Sequence, residues 1–340
     1  MSKNVVSLTR IATVGLVLFV STTTSCQAPP PPSVKQDLLP SWNEGANRQA
    51  IVDFVQKVTE RAGSSYVAPA DRIATFDNDG TLWVEQPLYV QVLFAADEMK
   101  AGAAQHLEWS ANANFQKVIK GDANAILQLA PADQFQVAFA VHSGLTADDY
   151  AAHVRQWLST HRHPKLNRPY TQLAYQPMLE LIAYLRANEF QVYSATGSEI
   201  GFVREVNEQA FGIPRDHVLG TLLKSKFDGS VKPAQLLALP DVLLIDDGDG
   251  KPISIQNTIG RRPIAAFGNS DGDLSMLQWT ASGAGARLSM LVHHDDAERE
   301  FAYDRSSPVG HLDKALDAAA AQGWKVLSMK SDWKRVFAER

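Results

Sequence analysis

The chain has 340 residues, of which 45% are apolar and 20% charged, and a net charge of −5. These proportions exclude a wholly disordered chain and leave ample material for the core of one large domain or two modest ones. The mild acidity gives no electrostatic case for a nucleic-acid partner, and the single cysteine, Cys26, excludes an internal disulfide and any C-x-x-C metal or redox motif.

Taken in chain order, the first feature is a leader. Lys3 and Arg10 precede an apolar stretch from Ile11 to Val20, then small polar residues from Ser21 to Ser25, then Cys26. A positive start, a short apolar run and a small-residue exit describe an export signal, and the run is too short to span a bilayer comfortably. Thr23-Thr24-Ser25-Cys26 resembles a bacterial lipobox, with Thr23 where leucine is usual. Residues 1–25 therefore read as a lipoprotein-type signal peptide and Cys26 as the lipid attachment point, against the alternative of an ordinary cleaved signal with an incidental cysteine. Residues 26–43, with four consecutive prolines, read as an extended spacer. The expectation is an exported, cell-envelope protein held to a bacterial membrane.

The body alternates between the two periodicities. Ile51, Val52, Phe54, Val55 and Val58 follow helical spacing, so a helix is predicted from about Asn47 to Arg61. Ile73–Phe76 reads as a short buried strand. Residues 87–171, rich in Ala, Gln and Leu, contain no convincing strand and read as several helices with breaks near Gly121, Pro131 and Gly144. Met178 to Leu185 marks a helix that feeds a strand from Phe190 to Ala195. Further strands are predicted at Val242–Ile245, Ile264–Phe267, Leu288–Val292 and Val326–Met329. Helices are predicted between them at Ile200–Phe211, Pro252–Ile259, Leu274–Thr280 and Leu312–Gln322. Such alternation argues an α/β fold with a parallel sheet covered on both faces. The domain reading is a core of residues 44–86 and 172–340, with a helical cap, residues 87–171, inserted over the active edge of the sheet.

Chemistry gathers where predicted strands end. Phe76-Asp77-Asn78-Asp79-Gly80-Thr81-Leu82 puts two carboxylates two residues apart directly after an apolar strand, with Gly80 free to turn. In open α/β sheets ligands bind outside the carboxyl ends of the strands. One carboxylate can act as a nucleophile and the second as general acid and base, and their like charges call for a cation such as Mg²⁺. In Val192-Tyr193-Ser194-Ala195-Thr196-Gly197-Ser198, Thr196 and Gly197 read as a phosphate contact at a helix start. Asn269, Asp271 and Asp273 follow another predicted strand and supply oxygen atoms suited to Mg²⁺. Lys251 in Asp249-Gly250-Lys251-Pro252 is the candidate active-site cation, with Lys232 as its competitor.

In this order the motifs D-x-D-G-T, strand-Thr, Lys and G-N-S-x-G-D resemble those of the haloacid dehalogenase superfamily, and within it phosphatases similar to phosphoserine phosphatase. The resemblance spans Asp77 to Asp273 and implies a Rossmann-like, doubly wound parallel sheet with an inserted cap. It makes Asp77 the nucleophile, Asp79 the general acid and base, Thr196 the phosphate contact and Lys251 the stabilising cation. It places Mg²⁺ on Asp77, the main-chain carbonyl of Asp79, and the fourth motif through Asn269 and Asp273. Asn269 departs from the carboxylate usual there, and Asp271 takes the variable, solvated position. Glu85 lies near where phosphoserine phosphatases carry a substrate-contacting glutamate. Trp83 is expected beside the site or under the cap, Arg261 and Arg262 on the surface, and His293, His294, Asp295 and Asp296 in a loop on the rim of the sheet. The expected activity is Mg²⁺-dependent hydrolysis of a small phosphomonoester through an aspartyl-phosphate. The alternatives are a dehalogenase, which needs no second carboxylate, and a non-catalytic, lipid-anchored binding protein on the same scaffold.

Overall fold

A computed structural model describes residues 37–121 and 124–339. The leader, Cys26 and the proline run lie outside the described residues. The segment 37–43, read from composition as the end of a spacer, instead packs into the fold. Leu39 and Trp42 are buried there, and the Trp42 indole donates to the Pro177 carbonyl at 2.9 Å.

Among the described residues eight strands form one sheet: β1 (Ile73–Phe76), β2 (Gln191–Glu199), β3 (Val218–Asp228), β4 (Gln235–Leu244), β5 (Ala265–Gly268), β6 (Leu288–Asp295), β7 (Ala302–Tyr303) and β8 (Lys325–Ser328). Their order is β4-β3-β2-β1-β5-β6-β7, with β8 also on β6. Pairs β1–β2, β1–β5, β2–β3, β5–β6 and β6–β8 are parallel. β1 and β5 are buried throughout, as central parallel strands covered on both faces must be. The chain winds outward on one side through β2 and β3 and on the other through β5, β6 and β8. The direction reverses beside β1, which sets a crevice at the carboxyl ends of β1, β2 and β5.

Helix α1 (Ala46–Thr59) buries Ile51, Phe54, Val55 and Val58, the face its spacing predicted. After β1 the chain is helical for some eighty residues: α2 (Val90–Gly102), α3 (Ala113–Lys120), α4 (Asn124–Leu127), α5 (Pro131–Ala140) and α6 (Ala147–Thr160), with no named strand among the described residues. These are the cap helices. α7 (Gln176–Ala187) leads into β2. The predicted helix after β2 is α8 (Ile200–Val206), continued by a single π-turn over Asn207–Phe211. Then come α9 (Gly250–Ile259), α10 (Leu274–Ala281), α11 (Lys314–Gln322) and the short α12 (Met329–Asp332). None of the described helices is long and apolar enough to cross a membrane.

The hairpin of β3 and β4 differs from the predicted pattern. β3 pairs with β2 as far as Thr221, then leaves the parallel sheet and runs antiparallel to β4 from Leu222 to Asp228. The strand expected at Val242–Ile245 is the end of this longer β4 and is antiparallel rather than parallel. Alternation failed to announce it because its outward face is apolar: Phe227, Leu236 and Leu243 are all exposed. The connection between α5 and α6 lies along the outer edge of β4. Gly144 N–H donates to the Ala238 carbonyl at 2.9 Å, and Ala238 N–H to the Leu145 carbonyl at 3.0 Å.

Candidate active site

The turn after β1 is pinned to its neighbours. Asp77 N–H donates to the Phe267 carbonyl of β5 at 2.9 Å, and Thr81 and Leu82 N–H both reach the Asn78 carbonyl. Gly80 has φ +74, and a Cβ there would lie 2.1 Å from Asn269 Nδ2 and 2.3 Å from Glu85 Oε1. Glycine is therefore required twice, by conformation and by space. Asn78, between the two aspartates, faces away: its amide donates to Asn207 Oδ1 in the π-turn at 2.8 Å, and Asn207 donates to Ser194 Oγ at 2.6 Å.

Lys251 is 1% exposed and lies at the start of α9. Its Nζ donates to Asp77 Oδ1 at 2.6 Å, Asp273 Oδ1 at 2.7 Å and the Ala195 carbonyl at 2.9 Å, which uses all three of its protons. Burial alone would lower its pKa, but the charges of Asp273 and Asp77 hold it above the ordinary lysine value, so it is an ammonium. Lys232, the competitor, is exposed between β3 and β4 and takes no part.

The fourth motif is held by a set of buried hydrogen bonds. Asp273 Oδ2 accepts from the N–H groups of Asn269 and Ser270 at 2.9 and 3.0 Å, while Oδ1 faces Lys251. Asn269 Oδ1 accepts from the Thr81 hydroxyl at 2.9 Å, and its amide donates to Glu85 Oε1 at 2.6 Å. Neither side chain lines the pocket. Asn269 and Asp273 thus bond to Thr81, Glu85, Lys251 and two backbone amides. Asp271 is not simply solvated. Its carboxylate accepts from the N–H groups of Asp313, Lys314 and Ala315 and caps α11.

The pocket is a cavity of about 100 Å³. Asp77, Asp79, Glu85, Lys251, Thr196 and Gly197 meet in its wall, as do Ser198, Asp247 and Ser270. The cap contributes Val92, Phe135 and Ala138, with Tyr89 at the foot of α2. Asp79 Oδ1 accepts from the Trp83 indole and Oδ2 from the Ser198 hydroxyl, each at 2.9 Å. Burial raises the Asp79 pKa above the usual carboxylate value, opposed by these two bonds. Asp77 is pushed well above its usual value by burial and by Asp273, and Lys251 opposes the shift.

Thr196 is not at a helix start. β2 runs on to Glu199, whose side chain caps α8 by accepting from Gly201 and Phe202 N–H. Thr196 N–H is taken by Asp246 Oδ2 at 3.2 Å, and its Oγ1 accepts from Ser198 N–H at 3.2 Å. Sequence reasoning stopped the strand at Ala195 because hydroxyl and glycine residues follow, and it passed over Ser198, Asp246 and Asp247. An apolar run ending in Asp-Asp repeats the pattern of the first motif and was the available signal. Asp246 is fully buried beside Ser254, and burial pushes its carboxyl up to about 7. The segment from His293 to Asp296 is not a rim loop. β6 runs to Asp295, and His294 is buried with Nε2 2.7 Å from the Gly80 carbonyl.

With the geometry in place, comparison gives the family. The sequence matches the family described as haloacid dehalogenase-like hydrolase over residues 74–278. The chain belongs to the haloacid dehalogenase-like hydrolases. A solved structure of a conserved, functionally unknown protein from Anaerococcus prevotii DSM 20548 is similar, with TM-score 0.50 and 14% identity, covering 73% of this chain and 85% of that one. A protein of unknown function from Bordetella pertussis Tohama I gives TM-score 0.47 at 14% identity, covering 76% and 98%. A phospho-aspartyl intermediate analogue of phosphoserine phosphatase gives TM-score 0.35 at 15% identity, covering 65% and 86%. At 14% identity the likeness to the Anaerococcus prevotii protein is one of fold. No curated protein sequence matches the chain.

Glu85 gives this hydrolase a pH signature. It is 1% exposed, accepts from Asn269 and the Tyr303 hydroxyl through Oε1, and is pushed up to about 7 by burial. The native state thus holds its proton more tightly than the unfolded chain. The stability this contributes is fully present below the ordinary glutamate pKa and is lost as pH rises toward about 7. Glu85→Gln, which keeps the accepting oxygen, is expected to stabilise the metal-free protein by up to about 3 kcal/mol at about pH 8 and little at about pH 4. Thermal melts of both proteins at the two pH values check this. An equal shift at both would mean that Glu85 ionises freely.

Proposed function

We propose that this hydrolase is a phosphomonoesterase acting through an aspartyl-phosphate on Asp77. The observation that carries the reading is the Lys251 ammonium, which bridges Asp77 Oδ1 and Asp273 Oδ1 while a second carboxylate, Asp79, faces the same pocket. Lys251 favours the ionised form of Asp77 against burial and keeps one oxygen aimed, so that the carboxylate attacks phosphorus. The raised pKa of Asp79 suits a proton donor. As the ester P–O bond breaks, Asp79 passes its proton to the leaving oxygen. It then takes a proton from water, whose oxygen attacks phosphorus and breaks the bond to Asp77. Lys251 offsets charge on the transferring phosphoryl throughout. A dehalogenase would leave Asp79 and its two donors without a task.

The donor set suits Mg²⁺. Asp77, Asp79, Glu85, Asp246 and Asp273 are all buried, and Lys251 is the one lysine or arginine among the residues lining the pocket. That surplus of buried negative charge favours a hard divalent cation with oxygen ligands. Among the described residues no three His, Cys, Asp or Glu side chains converge on a metal position. The ion would rest on Asp77, the Asp79 main-chain oxygen, and Asn269 and Asp273 of the fourth motif. When bound, it supplies positive charge to the phosphoryl oxygens. Glu85, Thr196 and Gly197 are substrate contacts in this reading, and the cap selects a small phosphorylated substrate. Export with lipid attachment at Cys26 belongs to the same proposal and rests on the leader sequence.

The test is phosphate release from an aryl phosphate by the purified full-length protein, with Mg²⁺ or with EDTA. Turnover with Mg²⁺ and its loss in EDTA are expected. No turnover under either condition would leave the scaffold as a binding protein.

A further inference from the structure

We propose that His294 is a positioning residue for Asp79, acting through the carbonyl of Gly80. The inference rests on the reading of Asp79 as the acid and base. His294 is buried at the end of β6, two strands away from β1. Its Nε2 lies 2.7 Å from the Gly80 carbonyl oxygen, and its Nδ1 lies 3.2 Å from Glu300 Oε2. A carbonyl can only accept, so Nε2 carries a proton. Glu300 is fully buried and accepts from the Tyr175 hydroxyl at 3.2 Å and Phe301 N–H at 2.7 Å. The contact between Nδ1 and Glu300 fixes the ring orientation that points Nε2–H at Gly80. The ring is further held by stacking on Tyr303, with centroids 4.4 Å apart and planes 19° from parallel.

Gly80 directly follows Asp79 in the turn. Its N–H donates to the Trp83 carbonyl at 2.8 Å, and the Trp83 indole in turn donates to Asp79 Oδ1. With N–H tied to Trp83 and C=O tied to His294, both peptide planes around the left-handed Gly80 are fixed. Without the second tie the plane between Gly80 and Thr81 is held only at its other end, by Thr81 N–H at 3.1 Å from the Asn78 carbonyl, and the turn that aims the Asp79 carboxylate loosens. Nothing local in the sequence marks the pair, because 214 residues separate its members.

Three replacements separate aiming from mere filling of space. Glutamine places its amide nitrogen about where Nε2 lies and can still donate to Gly80. Asparagine reaches only the Nδ1 position, and leucine donates to neither. In the full-length protein we expect kcat on an aryl phosphate to fall on the order of 10²-fold in His294→Asn and His294→Leu with KM little changed, and His294→Gln to recover most of it. The second readout needs no turnover. The Trp83 indole N–H resonance in ¹⁵N-labelled protein, assigned by its loss in Trp83→Phe, should move in the asparagine and leucine variants and stay in the glutamine one. Equal kcat in the glutamine and asparagine variants, with the Trp83 resonance unmoved in both, would overturn the proposal. A wild type without phosphatase activity would instead overturn the reading of Asp79 as acid and base, while the resonance still tests the positioning.

Discussion

Asp77→Asn is expected to abolish turnover and phosphoenzyme formation together. An amide oxygen is a poor nucleophile, and removal of an attacking group costs about 10⁴-fold or more in rate. The fold should survive. Asp77 is forced up by burial and by Asp273, so a neutral isostere relieves a charge conflict while Lys251 keeps Asp273 and the Ala195 carbonyl. Asp79→Asn should behave differently: with a good leaving group Asp77 can still be phosphorylated, but the proton needed from water has no acceptor. Intact mass spectrometry after exposure to an aryl phosphate should show no added phosphoryl group in Asp77→Asn and an accumulating one in Asp79→Asn. Full activity in Asp77→Asn would sink the mechanism.

Lys251→Met should cost both activity and stability. The methionine fills the same apolar path but leaves Asp77 and Asp273 buried without their cation. Breaking a buried ion pair from one side costs about 3–5 kcal/mol. The sign of the pH dependence follows. Loss of the ammonium raises Asp77 further in the folded state, so the variant binds protons more tightly when folded. Its deficit is largest at neutral pH and shrinks on acidification. Urea unfolding of the metal-free proteins at neutral and mildly acidic pH measures both effects. A midpoint equal to that of the wild type would mean that solvent, not Lys251, compensates the two aspartates.

Much of this site was legible because its chemistry sits at strand ends. Asp77, Asp79 and Lys251 could be named from a carboxylate pair after an apolar run and from the order of the motifs, and they do meet in one pocket. Sequence alone failed where a side chain's partner is remote. The loop that carries Asn269 says nothing of its bonds to Thr81 and Glu85, close to 190 positions away. Asp271 looked like a solvated loop charge because the helix it caps begins 43 residues later. Thr196 looked like a strand terminus because glycine and serine follow it, yet pairing with β3 carries the strand past them. The fold was legible wherever burial was two-sided, as in β1 and β5. It was not legible in the hairpin of β3 and β4, where exposed leucines and a phenylalanine break the alternation that marks a half-buried ribbon.

That hairpin bears on solubility. β4 is the last strand on its side of the sheet, and an open edge strand is a template for pairing with another molecule. Two devices blunt it. The link between α5 and α6 occupies both main-chain groups of Ala238, and two residues further on Pro240 has no N–H to offer. The cap thus shields a flank of the sheet as well as roofing the pocket. A minimal catalytic core made by excising the cap helices would bare the Ala238 groups beside exposed Phe227, Leu236 and Leu243, the combination that drives edge-to-edge aggregation.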